Sequence, residues 1–523
     1  MSAKRSLRFF NTTGPCFPDD HYMLPPEDRL VGAQLHRYIG DKLYWVLHAP
    51  RQTGKTTFLQ SWMREINAGS DAIACYVSVE ACQGISDAEI AIPSICGAIR
   101  EFASVFGLPV PPMPENILPQ IMLSNILGNW ARMTAPKPLV VLFDETDVLQ
   151  DAALISFLRQ LRSGFASRGI GTFPVSIALV GMRDLKDYIT ASKGGIAPNP
   201  GSPFNIKEDS AVLSNFQRKD IANLFAQRTA ENGQQICPKA LDYIYEQSKG
   251  QPWIVNSLFK RATMRILNHE SAETVTLEHI EKAREQMILA RETHLDALAI
   301  RLKDSGIRGV IEPILTGEPN PELAEGESFR LCKDLGLVAL DNGTPVIANP
   351  IYREVIARHL TYGQQLAIPK PDWPWEKPDK SLDMERMMRE FQKFWRRHAD
   401  IWEQKSDYTE AFPHLLLMAF LQRVLNGGGR IEREYAAGRG RMDLGIEYNG
   451  FWNIIEIKLI HYYDTPQVVR EEGLEQIRKY RNSVAPDAPA WLVIFDRRPN
   501  TKEKSWDERI SWECVGDVTV LGC

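Results

Sequence analysis

The sequence predicts a multidomain α/β protein, and three observations predict it. Short β-rich runs alternate with longer helical stretches from Leu43 onward. A chain of 523 residues exceeds what a single hydrophobic core serves. A proline-dense stretch then separates a second α/β segment from the first.

The runs LYWVLH, IACYVSV, PLVVLF and VSIALVG read as short buried strands, with a helix opening at Thr56 between the first two. Parallel strands need long crossovers, so this alternation predicts a parallel sheet. Between the second and third runs lies a long helical insertion, broken at the PPMP segment around Pro112. From about Arg218 to Arg291 amphipathic patterns such as DIANLFAQRTAENG and PWIVNSLFKRAT predict a wholly helical, lid-like subdomain. The stretch FRLCKDLGLVALDNGTPVIANPIYREVIARHL reads as helix, strand, a turn at Asp341-Asn342-Gly343, strand and helix. Asn-Gly is a strong hairpin signal, so a small winged-helix module is expected there. In IPKPDWPWEKPDK, Pro369, Pro371, Pro374 and Pro378 are spaced too closely for a helix or a central strand, which marks the main linker. The segment from about Ser381 opens with long helices and turns to strands, as a separate α/β domain would.

Apolar residues at 44%, charged residues at 24% and a net charge of −5 describe an ordinary soluble globular chain. A nucleic-acid partner would therefore have to meet a local basic patch. The opening MSAKRSLRFF lacks an apolar segment behind its basic residues, and the longest apolar run, Leu415 to Leu421, is far too short to span a bilayer. A cytoplasmic protein with no membrane partner is expected. The eight cysteines form no C-x-x-C pair, which argues against a zinc site or a disulfide framework and for small buried apolar side chains.

The run Ala49-Pro50-Arg51-Gln52-Thr53-Gly54-Lys55-Thr56, followed by Thr57, comes after an apolar strand and opens a helix. That is the context of a Walker A phosphate loop, whose backbone N–H groups wrap a phosphate at a helix N-terminus. Lys55 would place a cation between the β- and γ-phosphates, and Thr56 a hydroxyl on magnesium. The first position is Ala49 rather than glycine, which restricts the backbone there. A second motif compensates: Leu139 to Phe143 is a buried-strand run ending in Asp144-Glu145, a Walker B pattern. Asp144 would position the magnesium, and Glu145 would polarise the attacking water. Arg183, at the end of VSIALVGMRD, stands where a γ-phosphate sensor could sit, with a surface salt bridge as the competing role.

The order of Walker A, Walker B, an arginine after the fourth strand, a helical lid holding Gly250-Gln251-Pro252 and then a winged helix resembles the STAND and archaeal-type branch of AAA-related P-loop ATPases, over roughly Phe9 to Leu360. The resemblance implies that Pro252 and its neighbours contact the nucleotide from the lid. The residues alone equally fit a helix break with proline in the next first turn. In the same family the stretch FFNTTGPCFPDDHYMLPPEDRL borders the adenine, making His21, Tyr22 and Arg29 candidates beside the alternative of an ordinary packed loop. The resembled ATPases often assemble, so a homo-oligomer is implied.

A second constellation lies in GRGRMDLGIEYNGFWNIIEIKLI, with Asp443 on one strand and Glu456-Ile457-Lys458 on the next, joined by a turn at Asn449-Gly450. Period two puts Glu456 and Lys458 on one face, where Asp443 completes two carboxylates and an ammonium. Hard oxygen ligands suit magnesium or manganese, and the metal site is assigned to Asp443, Glu456 and Ile457. Lys458 would position or deprotonate the metal's water. Gln476 and Tyr480, four apart, share one face of the following helix. These motifs resemble the PD-(D/E)XK nuclease superfamily, whose fold is restriction-endonuclease-like, and the Q-x-x-x-Y pair resembles its RecB-type and λ-type exonuclease branch. Coverage runs from about Met384 to Arg498. Glu434 is the leading third acidic candidate, ahead of Glu432 and Glu410. The competing reading is a surface hairpin with a Glu/Lys ladder pair, which leaves Asp443 in an apolar strand unexplained.

Arg430, Arg433, Arg439 and Arg441, together with Arg386, Arg389, Lys393, Arg396 and Arg397 in MERMMREFQKFWRRH, could bind a phosphate backbone, although the helix equally reads as a solvated charged face. Arg330 and Lys333 offer a further DNA contact from the winged helix. The expected domains are a P-loop core over 1–215, a helical lid over 216–292, a winged helix over 293–363, a linker over 364–380 and a nuclease-like domain over 381–523. The function this predicts is an ATP-regulated, metal-dependent DNA nuclease, with bacterial defence or mobile-element biology inferred from resemblance. Two alternatives stand beside it: a nucleotide-dependent switch whose nuclease-like domain only binds, and a translocating motor, disfavoured by the lack of helicase motifs.

Overall fold

The apolar runs become strands buried on both faces. In the computed structural model β1 (Leu30–Val31), β2 (Tyr44–His48), β3 (Ile73–Ser78), β4 (Leu139–Asp144), β5 (Ser176–Gly181) and β6 (Lys207–Leu213) form one sheet in the order β1-β6-β2-β5-β4-β3. All neighbouring pairs are parallel except β1 with β6. The structure describes residues 8–31, 35–182, 207–290, 295, 300–315, 326–360, 375–403, 412–425, 430–437, 440–460, 464–496, 498 and 504–523. Within them the backbone alone is described at 207–210, 289, 398–403, 412, 414–415, 422–425, 430–437, 440–443 and 483–484.

Alternation assigns each strand's side chains to two cores. Tyr44, Val46, Val141, Phe143, Ile177 and Leu179 pack beneath α3 (Ala88–Val105), α4 (Pro119–Thr134) and α5 (Asp151–Phe165). Trp45, Leu47, Val140, Leu142, Ala178 and Val180 face the other way, with α1 (Leu35–Gly40) and α2 (Lys55–Ala68). The insertion between β3 and β4 is therefore the pair α3 and α4, which supplies half the core. The sixth strand, KEDSAVL, escapes a hydrophobicity scan because its first half is charged.

The helical stretch beyond Arg218 is α6 (Arg218–Asn232), α7 (Pro238–Ser248), α8 (Pro252–Lys260), continued by a π-helical turn at Arg261–Ile266, and α9 (Leu277–Leu289). Then come α10 (Ser305–Leu315), α11 (Glu327–Asp334), the hairpin β7 (Val338–Asp341) to β8 (Thr344–Ile347), and α12 (Pro350–Leu360). Asn342 and Gly343 have φ of 48° and 84°, the left-handed pair a two-residue hairpin turn requires.

The chain divides into two compact units, one of residues 1–293, 329–339 and 348–352, the other of 294–328, 340–347 and 353–523. In the second unit α13 (Met384–Glu403) and α14 (Phe412–Leu425) precede β9 (Arg430–Ala437), β10 (Gly440–Tyr448), β11 (Phe451–Ile460), α15 (Pro466–Val484), β12 (Ala490–Asp496), the short α16 (Trp506–Arg509), β13 (Ser511–Val515) and β14 (Val518–Gly522). Their sheet runs β13-β14-β12-β11-β10-β9, with β11, β12 and β14 parallel. Asn449 and Gly450, at φ 49° and 82°, close the β10–β11 hairpin. The antiparallel β13–β14 pair at the end of this sheet has no counterpart in the sequence reading. Among the described residues no helix is long and apolar enough to cross a membrane.

Candidate functional site

Strand β2 ends at His48 and helix α2 begins at Lys55, so Ala49 to Gly54 of the Walker A run form the turn between them and Lys55, Thr56 and Thr57 open the helix. Only two of the run's residues take left-handed backbone, Gln52 at φ 58° and Gly54 at φ 94°. Ala49 does not. It is buried, and its N–H donates to Gly181 O at 3.3 Å as a continuation of β2. The alanine at the first motif position therefore meets no torsion that demands glycine. Lys55 Nζ donates back to Ala49 O at 2.7 Å and Pro50 O at 2.9 Å, and its burial pulls its pKa below the ordinary lysine value.

The Walker B carboxylates meet this loop directly. Thr56 Oγ1 donates to Asp144 Oδ2 at 2.6 Å, and Asp144 Oδ1 accepts the Glu145 N–H at 3.0 Å. Asp144 is 1% exposed, and burial raises its pKa against those bonds. Glu145 sits at φ 60°, where Ser78 Oγ donates to its Oε2 at 3.0 Å. Burial first, and the Asp144 charge second, push the Glu145 carboxyl up to about 7, the range of a general base at neutral pH. A threonine hydroxyl against an aspartate is a hard-oxygen donor set, and it fits a magnesium ion.

These groups line a cavity of ≈ 720 Å³, within the range of small-molecule sites. Its other walls come from the N-terminal segment and from α6 and α8. Arg29 is a tether: Nη2 donates to Thr53 O at 2.7 Å, Nε to Ser214 O at 2.9 Å, and its guanidinium lies 4.7 Å from the Phe216 ring. Burial lowers its pKa to about 10. Cys16 N–H donates to Thr57 Oγ1 at 3.0 Å, which ties the segment to α2. Trp253 Nε1 and Lys260 Nζ reach Thr12 at 2.9 and 3.1 Å, tying it to α8. Of the proposed adenine neighbours, Tyr22 and Arg29 line the cavity. His21 is not among its lining residues; it accepts the Phe17 N–H at 2.9 Å and packs edge-on against Phe9.

Gly250-Gln251-Pro252 has a definite geometry. Gly250 adopts φ +75°, and a Cβ there would lie 1.8 Å from Phe216 O, so the position admits no side chain. Gln251 caps α8 by accepting the Ile254 N–H at 2.7 Å and extends Nε2 to Gln52 O at 3.4 Å. Pro252 opens α8 and lines the cavity. Arg183 lies outside the described residues. Tyr76 and Ser78 were not marked by the sequence. They carry no motif, and only the β3–β4 register, with Ser78 opposite Asp144, brings them to the site.

In the second unit Ile454 and Ile460 belong to the core beneath α15, whereas Ile455 and Ile457 belong to the opposite one beneath α13 and α14. Glu456 and Lys458 therefore share the α15 face, and Lys458 Nζ lies 3.1 Å from Glu456 Oε1 with the glutamate 3% exposed. The Ile457 side chain turns away, which leaves its backbone alone to serve a metal. Tyr480 is buried in the same α15 core, and Gln476 Oε1 is buried with no hydrogen-bond partner among the described residues. Gly473 lets α15 approach closely: a Cβ there would meet Leu492 Cδ1 at 2.7 Å and Lys458 Cγ at 3.2 Å.

Asp443 and Glu434 are described by backbone only. The pairs Met442↔Tyr435 and Leu444↔Arg433 bracket them as opposite residues on β10 and β9, and Leu444↔Ile455 puts Asp443 next to the register position of Glu456. The side chains of Asp443, Glu434, Glu432, Arg430, Arg433 and Arg441, and all of Glu410 and Arg439, lie outside the described residues. Among the described residues no cluster of three His, Cys, Asp or Glu could hold a metal ion, and Glu456 is the described carboxylate of this site. On α13, Arg389 pairs with Glu385, Lys393 with Glu390 and Arg396 with Asp507, at 2.9, 2.7 and 3.0 Å. These pairs favour a solvated charged face for that helix.

Residues 408–494 match the PD-(D/E)XK nuclease superfamily. No curated protein matches the chain. Among solved structures the chain is similar to a Walker-type ATPase of Pyrococcus abyssi, at 14% identity over 66% of this chain and 99% of that one, with a TM-score of 0.48. It is also similar to Cdc6p from Pyrobaculum aerophilum (14%, 64% and 96%, TM-score 0.34) and to the RuvB Holliday junction branch migration motor of Thermotoga maritima (14%, 64% and 92%, TM-score 0.34). The chain is thus an α/β multidomain protein with a P-loop-bearing parallel sheet and a C-terminal PD-(D/E)XK domain.

Proposed function

We propose that this chain is a metal-dependent nuclease that cleaves DNA phosphodiester bonds under the control of ATP bound at its P-loop. The observation that carries the nuclease half is the Glu456–Lys458 pair, an ammonium 3.1 Å from a carboxylate that is buried between Ile454 and Ile460. A Glu/Lys ladder pair kept only for sheet stability would sit in solvent, because burying charge without a chemical use costs stability. When bound, magnesium or manganese supplies charge neutralisation at the scissile phosphate and acidifies a water. Asp443, Glu456 and the backbone of Ile457 would hold the ion, Lys458 would position the water as an ammonium or deprotonate it as the free amine, and Gln476 and Tyr480 would position the strand from α15. Glu434, opposite Asp443, is the next candidate ligand.

In the first unit Lys55 and the loop from Ala49 to Thr57 would hold the ATP phosphates, Thr56 and Asp144 the magnesium, and Glu145 the attacking water. Pro252 would read the nucleotide from the lid, and Arg183 its γ-phosphate. We further read the segment 293–363 as a winged helix of the STAND type, the control as nucleotide-dependent domain rearrangement, and the setting as bacterial defence or mobile-element biology, with assembly into a homo-oligomer.

The test is cleavage of supercoiled and linear DNA with magnesium, with and without ATP. Wild type should cut and Lys458→Ala should leave DNA intact. Survival of DNA in every condition would favour the second reading, a nucleotide switch whose C-terminal domain only binds.

A further inference from the structure

Asp144 Oδ2 accepts a second hydroxyl besides that of Thr56. Tyr76 OH, from the neighbouring strand β3, donates to it at 3.2 Å. The phenol is nearly buried, at 6% exposed, and its ring is clamped edge-on by Phe102 of α3 at 5.3 Å and by Phe106, the residue that caps α3, at 6.4 Å between centroids. Phe102 and Phe106 in turn stack on each other at 6.2 Å. No Walker motif calls for a tyrosine here.

We propose that Tyr76 is a positioning residue for the nucleotide-site metal, holding Asp144 in its metal-orienting rotamer and transmitting the placement of helix α3 to that carboxylate. The inference rests on the P-loop reading above. Three donors from three elements fix Asp144: the Thr56 hydroxyl from α2, the Glu145 N–H from its own strand end and the Tyr76 hydroxyl from β3. The Thr56 bond is compatible with a loaded site, because the hydroxyl can donate its proton to Asp144 and keep a lone pair for the ion. Tyr76 shares Oδ2 with Thr56 while the Glu145 N–H holds Oδ1, so Tyr76 is the donor that keeps the carboxylate's rotation fixed when Thr56 turns toward an ion. A donor that orients a metal-binding group from behind contributes to metal affinity without touching the metal. Because the ring is held by Phe102 and Phe106, anything that shifts α3 shifts the phenol. The insertion between β3 and β4 thus has a direct route to the metal.

The experiment is the magnesium concentration giving half-maximal binding of a fluorescent ATP analogue to the full chain, measured beside binding of the same analogue in EDTA. Tyr76→Phe keeps the ring and removes the hydroxyl; the expected result is a roughly tenfold higher magnesium requirement, the lower end of such effects, with metal-free binding unchanged. Phe102→Leu keeps the hydroxyl and loosens the clamp, and should raise the requirement by about threefold, a smaller part of the same effect. A purely structural tyrosine would lower both affinities together or neither. Equal magnesium requirements in wild type and Tyr76→Phe would overturn the role of Tyr76 while leaving the P-loop reading intact. A wild type that binds no analogue with magnesium would overturn both. Should Tyr76→Phe fail to fold, an unchanged requirement in folded Phe102→Leu overturns the coupling and a raised one supports it.

Discussion

Asp144 and Glu456 are both carboxylates buried in a sheet, 1% and 2% exposed, yet the chain compensates their charge by different means. Around Asp144 it gathers neutral hydrogen-bond donors from separate elements, two hydroxyls and a backbone N–H, with the Lys55 charge acting through space. Beside Glu456 it sets a full cation two residues along the same strand. Hydrogen-bond donors steady a carboxylate while leaving its negative charge available to a divalent ion. An adjacent ammonium cancels much of that charge but brings a group able to move a proton. The difference teaches that the first site is built to bind and orient, and the second to carry a titratable partner next to its ligand. It also separates how the two are made: the donors around Asp144 come from α2, β3 and the end of β4, whereas Glu456 and Lys458 lie on one strand.

The largest expected effects test whether the two sites have separate chemistry. Glu145→Gln removes the raised carboxylate and leaves the phosphate loop untouched; ATP hydrolysis should fall by roughly 10²–10⁴-fold, the contribution of a general base, with ATP binding retained. Lys458→Ala should lower DNA cleavage by a similar factor of about 10²–10⁴ without altering ATP hydrolysis. Phosphate release and plasmid nicking, measured on each variant, check the pair. If cleavage persists in Glu145→Gln, ATP acts by binding rather than as fuel; if ATP hydrolysis collapses in Lys458→Ala, the sites are not chemically separate.

A smaller effect should follow from the convergence of segments itself. Gly250→Ala would force a side chain onto Phe216 O at a left-handed position, where strain costs about 1–3 kcal/mol. The link between the lid and the strand-exit segment should weaken, lowering the melting temperature by roughly 2–10 °C for a unit of this size. Calorimetry checks it, and ATP analogue binding should weaken in parallel because Pro252 leaves the cavity wall and Gln251 loses its reach to Gln52 O. Glu456 and Lys458 draw on no such convergence, so strand-local substitutions there should leave the melting temperature of the first unit where it was.

That contrast also explains what was legible in the sequence. The strands, the lid helices, both Asn-Gly hairpins and the Lys55, Thr56, Asp144, Glu145 set are written in local periodicity and motif spacing, and so is the shared face of Glu456 and Lys458. Strand β6 was not, because its charged first half masks a strand whose partners lie far away in sequence. Tyr76 and Ser78 were not, because what matters about them is the strand beside theirs. His21 shows the reverse failure, a polar aromatic in the right stretch whose ring nitrogen serves the loop's own backbone.

The smallest effect concerns the one motif position that departs from pattern. Ala49 is buried, extends β2 through its bond to Gly181 O and has no left-handed torsion; the left-handed residues of the loop are Gln52 and Gly54. Restoring the glycine that the motif usually carries should therefore confer nothing on phosphate binding. Ala49→Gly adds freedom to the unfolded chain and removes a buried methyl, so it should destabilise the unit by about 0.5–1 kcal/mol. The ATP analogue affinity should stay within about twofold, less than a 0.5 kcal/mol change. A marked gain in affinity would mean that the loop must open beyond its present torsions to take the phosphates, and that alanine at 49 restrains it.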